Sequence, residues 1–200
     1  MNVECEYGMY SFHAVGDKYR CLVENDLTID SPEKVQIETV SGTHMSGKSN
    51  DDEIYFHMID KPIQYFPRGM EKFFKNLKGI ALWGSQIKEI HQEDLKPYQK
   101  LENLFFSSSN IEIIEEGLFD FNPDMDTIIF QKSKIFHISP TVFNNLPKLT
   151  TLYLEGNKCT NKDATNSRTG TLEVINSVKV LCISTEFLYL DATIKTLEKS

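Results

Sequence analysis

Leu149-Thr150-Thr151-Leu152-Tyr153-Leu154-Glu155-Gly156-Asn157-Lys158-Cys159 carries apolar residues at its first, fourth, sixth and eleventh positions. Moving back from Leu149 in steps of 24 residues reaches Met125, Leu101, Leu77 and Glu53 with no insertion. The fourth position of each unit then reads Phe56, Ile80, Leu104, Ile128 and Leu152, and the sixth reads Met58, Leu82, Phe106, Phe130 and Leu154. The eleventh reads Ile63, Ile87, Ile111, Ile135 and Cys159; the fourteenth reads Phe66, Ile90, Ile114, Ile138 and Lys162. Columns that stay apolar at a fixed period mark a repeat architecture, in which each unit buries its apolar side only by stacking on its neighbours. Side chains alternate along a strand, so the fourth and sixth positions point to one side and the third, fifth and seventh to the other. Strands stacked in parallel about 4.8 Å apart give a sheet roughly 25 Å across for five or six units. Longer return paths on the far side would bend that sheet into the concave wall of an arc.

The pattern L-x-x-L-x-L-x-x-N-x-I, most open in Leu149–Cys159, resembles the leucine-rich repeat. The 24-residue length, with Phe119 and Phe143 in the second half of their units, is similar to the extracellular animal type. The resemblance covers about residues 53–160. It implies an α/β horseshoe solenoid with a concave parallel β-sheet, a mostly irregular convex side and a cap at each end. The pattern departs at the ninth position, where Lys61, Ser85, Ser109 and Ser133 replace the family's asparagine and only Asn157 keeps it.

The units need caps, and the flanks supply candidates. Residues 1–52 read as an N-terminal β-hairpin cap, with strand-like runs Tyr19–Val23 and Leu27–Ile29 around Gly16-Asp17 and a transitional strand at Val35, Ile37 and Val40. This cap resembles the shorter ones of small secreted insect repeat proteins. Repeats occupy 53–158, and a C-terminal cap covers 159–185 with a helix near Thr171–Val178 that places Leu172, Ile175 and Val178 over the last coil. An amphipathic tail, 186–200, carries Phe187, Leu190, Ile194 and Leu197 on one helical stripe.

The four cysteines lie in pairs at the two ends, Cys5 with Cys21 and Cys159 with Cys182. They permit three pairings, and local pairing would staple each cap separately; reduced cytosolic thiols are the alternative. The opening Met1-Asn2-Val3-Glu4-Cys5 has no basic-then-apolar signal pattern, so the chain is either cytosolic or a mature form whose signal peptide was removed. The cysteines favour the second reading and a secreted protein. No apolar stretch approaches the roughly 20 residues that span a bilayer. A net charge of −8 opposes nucleic-acid binding, which needs a basic surface.

Chemistry-bearing motifs are weak. Gly42-Thr-His-Met-Ser-Gly47-Lys48-Ser49 fits the phosphate-loop expression, but Asp51, Asp52 and Glu53 follow at once and a strand leaves no room for the helix that such a loop must open. Ser107-Ser108-Ser109 lacks the G-x-S-x-G elbow, and the five histidines show no catalytic or metal spacing. The expectation is therefore a non-enzyme with no catalytic residue, metal or cofactor.

The informative positions are those on the concave side. They read Tyr55, Gly79, Asn103, Thr127, Thr151 at the third place, His57, Ala81, Phe105, Ile129, Tyr153 at the fifth, and Ile59, Trp83, Ser107, Gln131, Glu155 at the seventh. A solvated face should be mostly polar, whereas this one offers Tyr55, His57, Ile59, Trp83, Phe105, Ile129 and Tyr153, with Lys78, Glu102, Asp126, Lys132 and Lys134 as a border. Such a patch marks an interaction site for a protein or peptide, in the setting of receptors, innate immunity or adhesion that the resemblance implies. Phe105→Ala is accordingly expected to weaken binding by more than about 1 kcal/mol with little loss of thermal stability. A homodimeric scaffold joined through the concave face or tail, and a small-ligand or lipid carrier, are the alternatives.

Overall fold

The computed structural model describes residues 1–183, so the expected tail stripe, 186–200, lies outside the described residues. In chain order the strands are β1 (Asn2–Phe12), β2 (Gly16–Val23), β3 (Thr39–Ser41), β4 (Ile54–Ile59), β5 (Leu77–Trp83), β6 (Asn103–Ser107), β7 (Ile113–Ile114), β8 (Thr127–Gln131), β9 (His137–Ile138), β10 (Thr151–Tyr153) and β11 (Asp163–Ala164). Among the described residues two α-helices, α1 (Gln92–Leu95) and α2 (Arg168–Leu181), and two short 3-10 turns, Pro32–Lys34 and Met70–Lys72, join these strands.

The 24-residue period becomes strand register. Tyr55 stands opposite Gly79, Gly79 opposite Asn103, Asn103 opposite Thr127, and Thr127 opposite Thr151, all in parallel. The sheet runs β11-β10-β8-β6-β5-β4-β2-β1-β3, with β2 pairing in parallel with β4 as the strand of a capping coil. Residues at the fourth, sixth, eleventh and fourteenth positions fill one continuous core, except that in the last unit Cys159 is half-buried at its edge and Lys162 is exposed. On the convex side β7 pairs with β9, and α1 and short irregular segments form the rest.

Two rows of backbone hydrogen bonds hold the coils together where the asparagine column is missing. At the end of each strand the eighth residue (Asp60, Gly84, Ser108, Lys132, Gly156) takes a left-handed conformation, φ between 49° and 76°. The first four of these donate N–H to the seventh carbonyl of the next coil at 2.8–2.9 Å. The tenth residue (Gln86, Asn110, Lys134, Lys158) donates back to the eleventh carbonyl of the previous coil at 2.9–3.1 Å. Asn157 adds three side-chain bonds, donating to the Phe130 and Leu154 carbonyls and accepting from Ile135 N–H. Serines contribute far less, with Ser109 and Ser133 bonded to each other at 2.7 Å and the buried Ser85 hydroxyl unpartnered among the described residues.

The ends are closed covalently. Cys5 pairs with Cys21 across the β1–β2 hairpin, and Cys159 pairs with Cys182 at the end of α2. Helix α2 is capped by Ser167, whose Oγ accepts from Gly170 N–H at 3.0 Å, and it buries Thr171, Val174, Ile175 and Val178 against the last coil. Its inward stripe is rotated from the expected one. Leu172 is 45% exposed, because Thr171 and Val174 take the i and i+3 places beneath it. No described helix is long and apolar enough to cross a membrane.

Candidate functional site: the concave face and the hairpin that crosses it

The N-terminal hairpin is more than an edge cap. Residues Val3, Cys5 and Tyr7 of β1 point into the solenoid core, while Tyr10 and Phe12, on the opposite face of the same strand, are covered on the concave side. Only Arg20, Cys21 and Leu22 of β2 pair with β4. Beyond them the two-stranded ribbon leaves the sheet, curls over the concave face and brings His13 within 6.0 Å of Tyr153 in β10. Twist in a two-stranded ribbon is large, and it gives this one its diagonal course.

Phe12 is the anchor. Its ring is 2% exposed and stacks on Phe105 at 5.5 Å with 19° between planes, while Tyr55 and His57 lie 5.2 Å away and Trp83 6.2 Å. Phe12, Tyr55, Ala81, Phe105 and Ile129 form a second apolar cluster, on the other side of the sheet from the main core, flanked by Tyr10, Val15, Trp83 and Tyr153.

This corrects the exposure expected from the sequence. Tyr55, His57, Phe105 and Ile129 are buried, and Ile59, Trp83 and Tyr153 are half-buried rather than open to solvent. Their places on the concave side of the strands are as the register requires; what covers them is chain from far away in sequence. The expected neutrality of Phe105→Ala toward stability is overturned with it, because that ring now packs on Phe12.

Tyr55 shows how local sequence sets the site. Its ring lies flat across Gly79, where any Cβ would sit 2.0 Å from ring carbon Cδ1, and its hydroxyl donates to the buried Asn103 carboxamide oxygen. One side chain thus spans two neighbouring strands, and glycine at 79 is what lets it. Burial first, and the carboxylates of Glu102 and Glu53 second, push the Tyr55 phenol well above its usual range.

His57 is enclosed. Arg20 Nη1 donates to its Nδ1 at 2.7 Å, and Arg20 also lies over the Tyr10 ring at 4.0 Å. An arginine can only donate, so Nδ1 is an acceptor and the imidazole is the neutral Nε2–H tautomer. Among the described residues Nε2 has no hydrogen-bond partner, and the ring stands nearly perpendicular to Trp83 at 4.3 Å. Desolvation, helped by the Arg20 charge, lowers the His57 pKa to about 3.

Beside the anchor a groove of about 480 Å³ runs between the hairpin tip and the last four repeats. Tyr10, His13, Trp83, Ser107, Gln131 and Tyr153 line it. The tip residues Tyr10, Phe12, His13 and Val15, and Arg20 beneath them, were not among the residues the sequence singled out. Their one signal is aromatic alternation in Tyr7-Gly8-Met9-Tyr10-Ser11-Phe12, which does not say what it packs on.

Elsewhere the phosphate-loop likeness dissolves into local contacts. Lys48 is paired with Asp52 at 2.9 Å, Ser49 N–H donates to the same carboxylate, and the chain runs directly into β4.

No protein-family model matches the chain. Over 62 residues it is 40% identical to Leucine-rich repeat-containing G-protein coupled receptor 5 of Xenopus tropicalis, and over 62 residues 39% identical to Leucine-rich repeat-containing G-protein coupled receptor 5A of Xenopus laevis. Each match covers 31% of this chain and 7% of the receptor. The coil register shows the fold, and that likeness agrees with it. The chain is a leucine-rich-repeat solenoid. Its leucine-rich repeats carry the disulfide-stapled caps described above, and a leucine-rich-repeat module of this kind, similar to part of a receptor, fits protein binding.

Proposed function

We propose that this leucine-rich-repeat protein is an extracellular recognition module that binds a protein or peptide partner along its concave side, in the groove bounded by the hairpin tip and lined by Trp83, Ser107, Gln131 and Tyr153. The observation that carries the reading is that groove. It joins half-buried aromatic side chains, the residue types that most often anchor interfaces, to polar groups able to orient a backbone. Both disulfides support an oxidising compartment, and the likeness to receptor repeats supports a binding role rather than a catalytic one.

The test is a binding screen of the oxidised protein against extracellular proteins at physiological salt, with Tyr153→Ala run beside the wild type. Tyr153 is half-buried at the groove's end, so its loss spares the core. A partner whose affinity falls about ten-fold or more with Tyr153→Ala supports the reading. Partners that bind both forms equally sink it.

A second reading has an observation of its own. Leu172, Val180 and Leu181 on the outer side of α2 are 45%, 76% and 55% exposed, an apolar patch suited to self-association through the C-terminal end. Light scattering of wild type and Val180→Asp separates the two. A dimer that Val180→Asp dissolves favours the scaffold role.

A further inference from the structure

We propose that the aromatic socket formed by Tyr55, His57, Trp83 and Phe105 is itself a binding site for a partner segment presenting a phenyl or phenol side chain, and that the hairpin tip fills it in the free protein as a displaceable plug. This deepens the functional reading above and rests on it.

The occupant reveals the chemistry. Phe12 enters with its ring stacked on Phe105 and flanked by Tyr55 and His57, so the socket is shaped for one aromatic side chain carried on an extended strand. The four rings of the socket carry no charge: His57 is neutral, and the Arg20 guanidinium beside it is turned to the His57 ring and the Tyr10 face. A cationic anchor is therefore disfavoured, and a Phe or Tyr is favoured.

The way the tip is held makes it exchangeable. Among the described residues, no hydrogen bond joins residues 8–18 to strands β4 to β10. Every neighbouring coil, by contrast, is tied by two rows of backbone bonds. Docking of the tip rests on ring contacts of Tyr10, Phe12 and His13, on apolar packing of Val15 and on Lys18 over the Tyr55 ring at 5.8 Å, contacts that a competing aromatic segment can replace. The strained turn supports the same view, with Ala14 at φ 70°, and Met9 on the outer side is 54% exposed. Covalent attachment stops short of the tip, because the Cys5–Cys21 bond clamps the ribbon's base and puts no covalent tie on its end.

The groove gives an incoming segment a place to start. It opens beside the plug, and the Ser107 hydroxyl on its wall has no hydrogen-bond partner among the described residues. A partner strand laid there gains a hydrogen bond that the plug does not make and then competes for the socket with its own ring. A site whose competent form is a minor population binds with an affinity reduced by that fraction, so weakening the plug should strengthen binding.

The probe is a cyclised synthetic peptide of residues 8–18, added in trans to the full chain with both disulfides intact. Trp83, the sole tryptophan, reports binding by fluorescence, and hydrogen exchange reports the state of the tip. In Phe12→Ala the tip amides should exchange about ten-fold faster while the repeat strands stay protected. That variant should also bind the peptide at least about ten-fold more tightly than wild type does. A peptide carrying its own Phe12→Ala should not bind. Val15→Asp, at a half-buried position of the tip, provides the same comparison should Phe12→Ala lose its fold. Equal peptide affinity for wild type and variants overturns the plug, and absence of binding to an opened variant overturns the socket. Failure of the functional reading looks different: the screen yields no groove-dependent protein although the peptide exchanges with the tip.

Discussion

Replacing Gly79 with alanine should destabilise the protein through Tyr55 rather than through the backbone. A Cβ at 79 would fall 2.0 Å from Tyr55 Cδ1 and 2.2 Å from Cε1, distances that no small adjustment relieves. The ring must lift, and its hydroxyl then leaves the Asn103 oxygen, which is buried with its residue 3% exposed. Leaving that acceptor unmatched costs about 1–3 kcal/mol. Forcing the ring into the Phe12 cluster costs a similar amount, about 1–3 kcal/mol. Lower entropy of the unfolded chain returns about 0.4–1 kcal/mol. The net is about 3 kcal/mol, or roughly 6–12 °C in melting temperature for a chain of this size. Thermal denaturation of four proteins tests the cause: wild type, Gly79→Ala, Tyr55→Ala and the double variant. With the ring already gone, alanine at 79 should be within about 0.5 kcal/mol of neutral, giving a coupling close to the whole cost of the single change. Additive costs would refute the reasoning, since they would place the penalty in the strand itself.

Other outcomes follow from the same geometry. Phe105→Ala should cost about 3 kcal/mol in thermal unfolding, because the ring is buried against Phe12; a change below about 1 kcal/mol would mean that the hairpin does not cover it in solution. His57, with a folded pKa of about 3, binds a proton in the unfolded chain first, near pH 6.5, so stability is full above that pH and falls as pH drops toward 3. At pH 5 the loss from this residue is about 2 kcal/mol, so the drop in melting temperature between pH 7.5 and 5 should be smaller by roughly 4–8 °C in His57→Gln. The protein denatured without reductant should show no free thiol, and reduction should remove roughly 3 kcal/mol for each disulfide, read as a lowered denaturation midpoint.

The solenoid was legible because its physics is local and repeated. Each inward residue, such as Leu104 between Ile80 and Ile128, meets the same neighbours one period away, so the columns state both the strands and their register. The cysteine pairs were readable from their positions at the two ends. What held the coils in place of the missing asparagines was only half visible: Gly84 and Gly156 mark the left-handed column, while Ser108 and Lys132 adopt the same conformation with no sign in their side chains. The concave residues were correctly placed on one side of the sheet by alternation. Their burial was not readable, since it depends on Phe12 meeting Tyr55, His57 and Phe105 across 43 to 93 positions of sequence with no periodic signature. A row of aromatics on a concave strand face looks the same whether a partner or the chain itself covers it.

The most direct test of the account is to locate the partner on the molecule. A photoreactive amino acid placed at Gln131 in the groove, and separately at Val180 on the outer side of α2, is irradiated with a protein recovered in the extracellular screen. The account predicts a covalent product from position 131 and none from position 180. A product from position 180 alone would contradict it and move recognition from the concave groove to the C-terminal end.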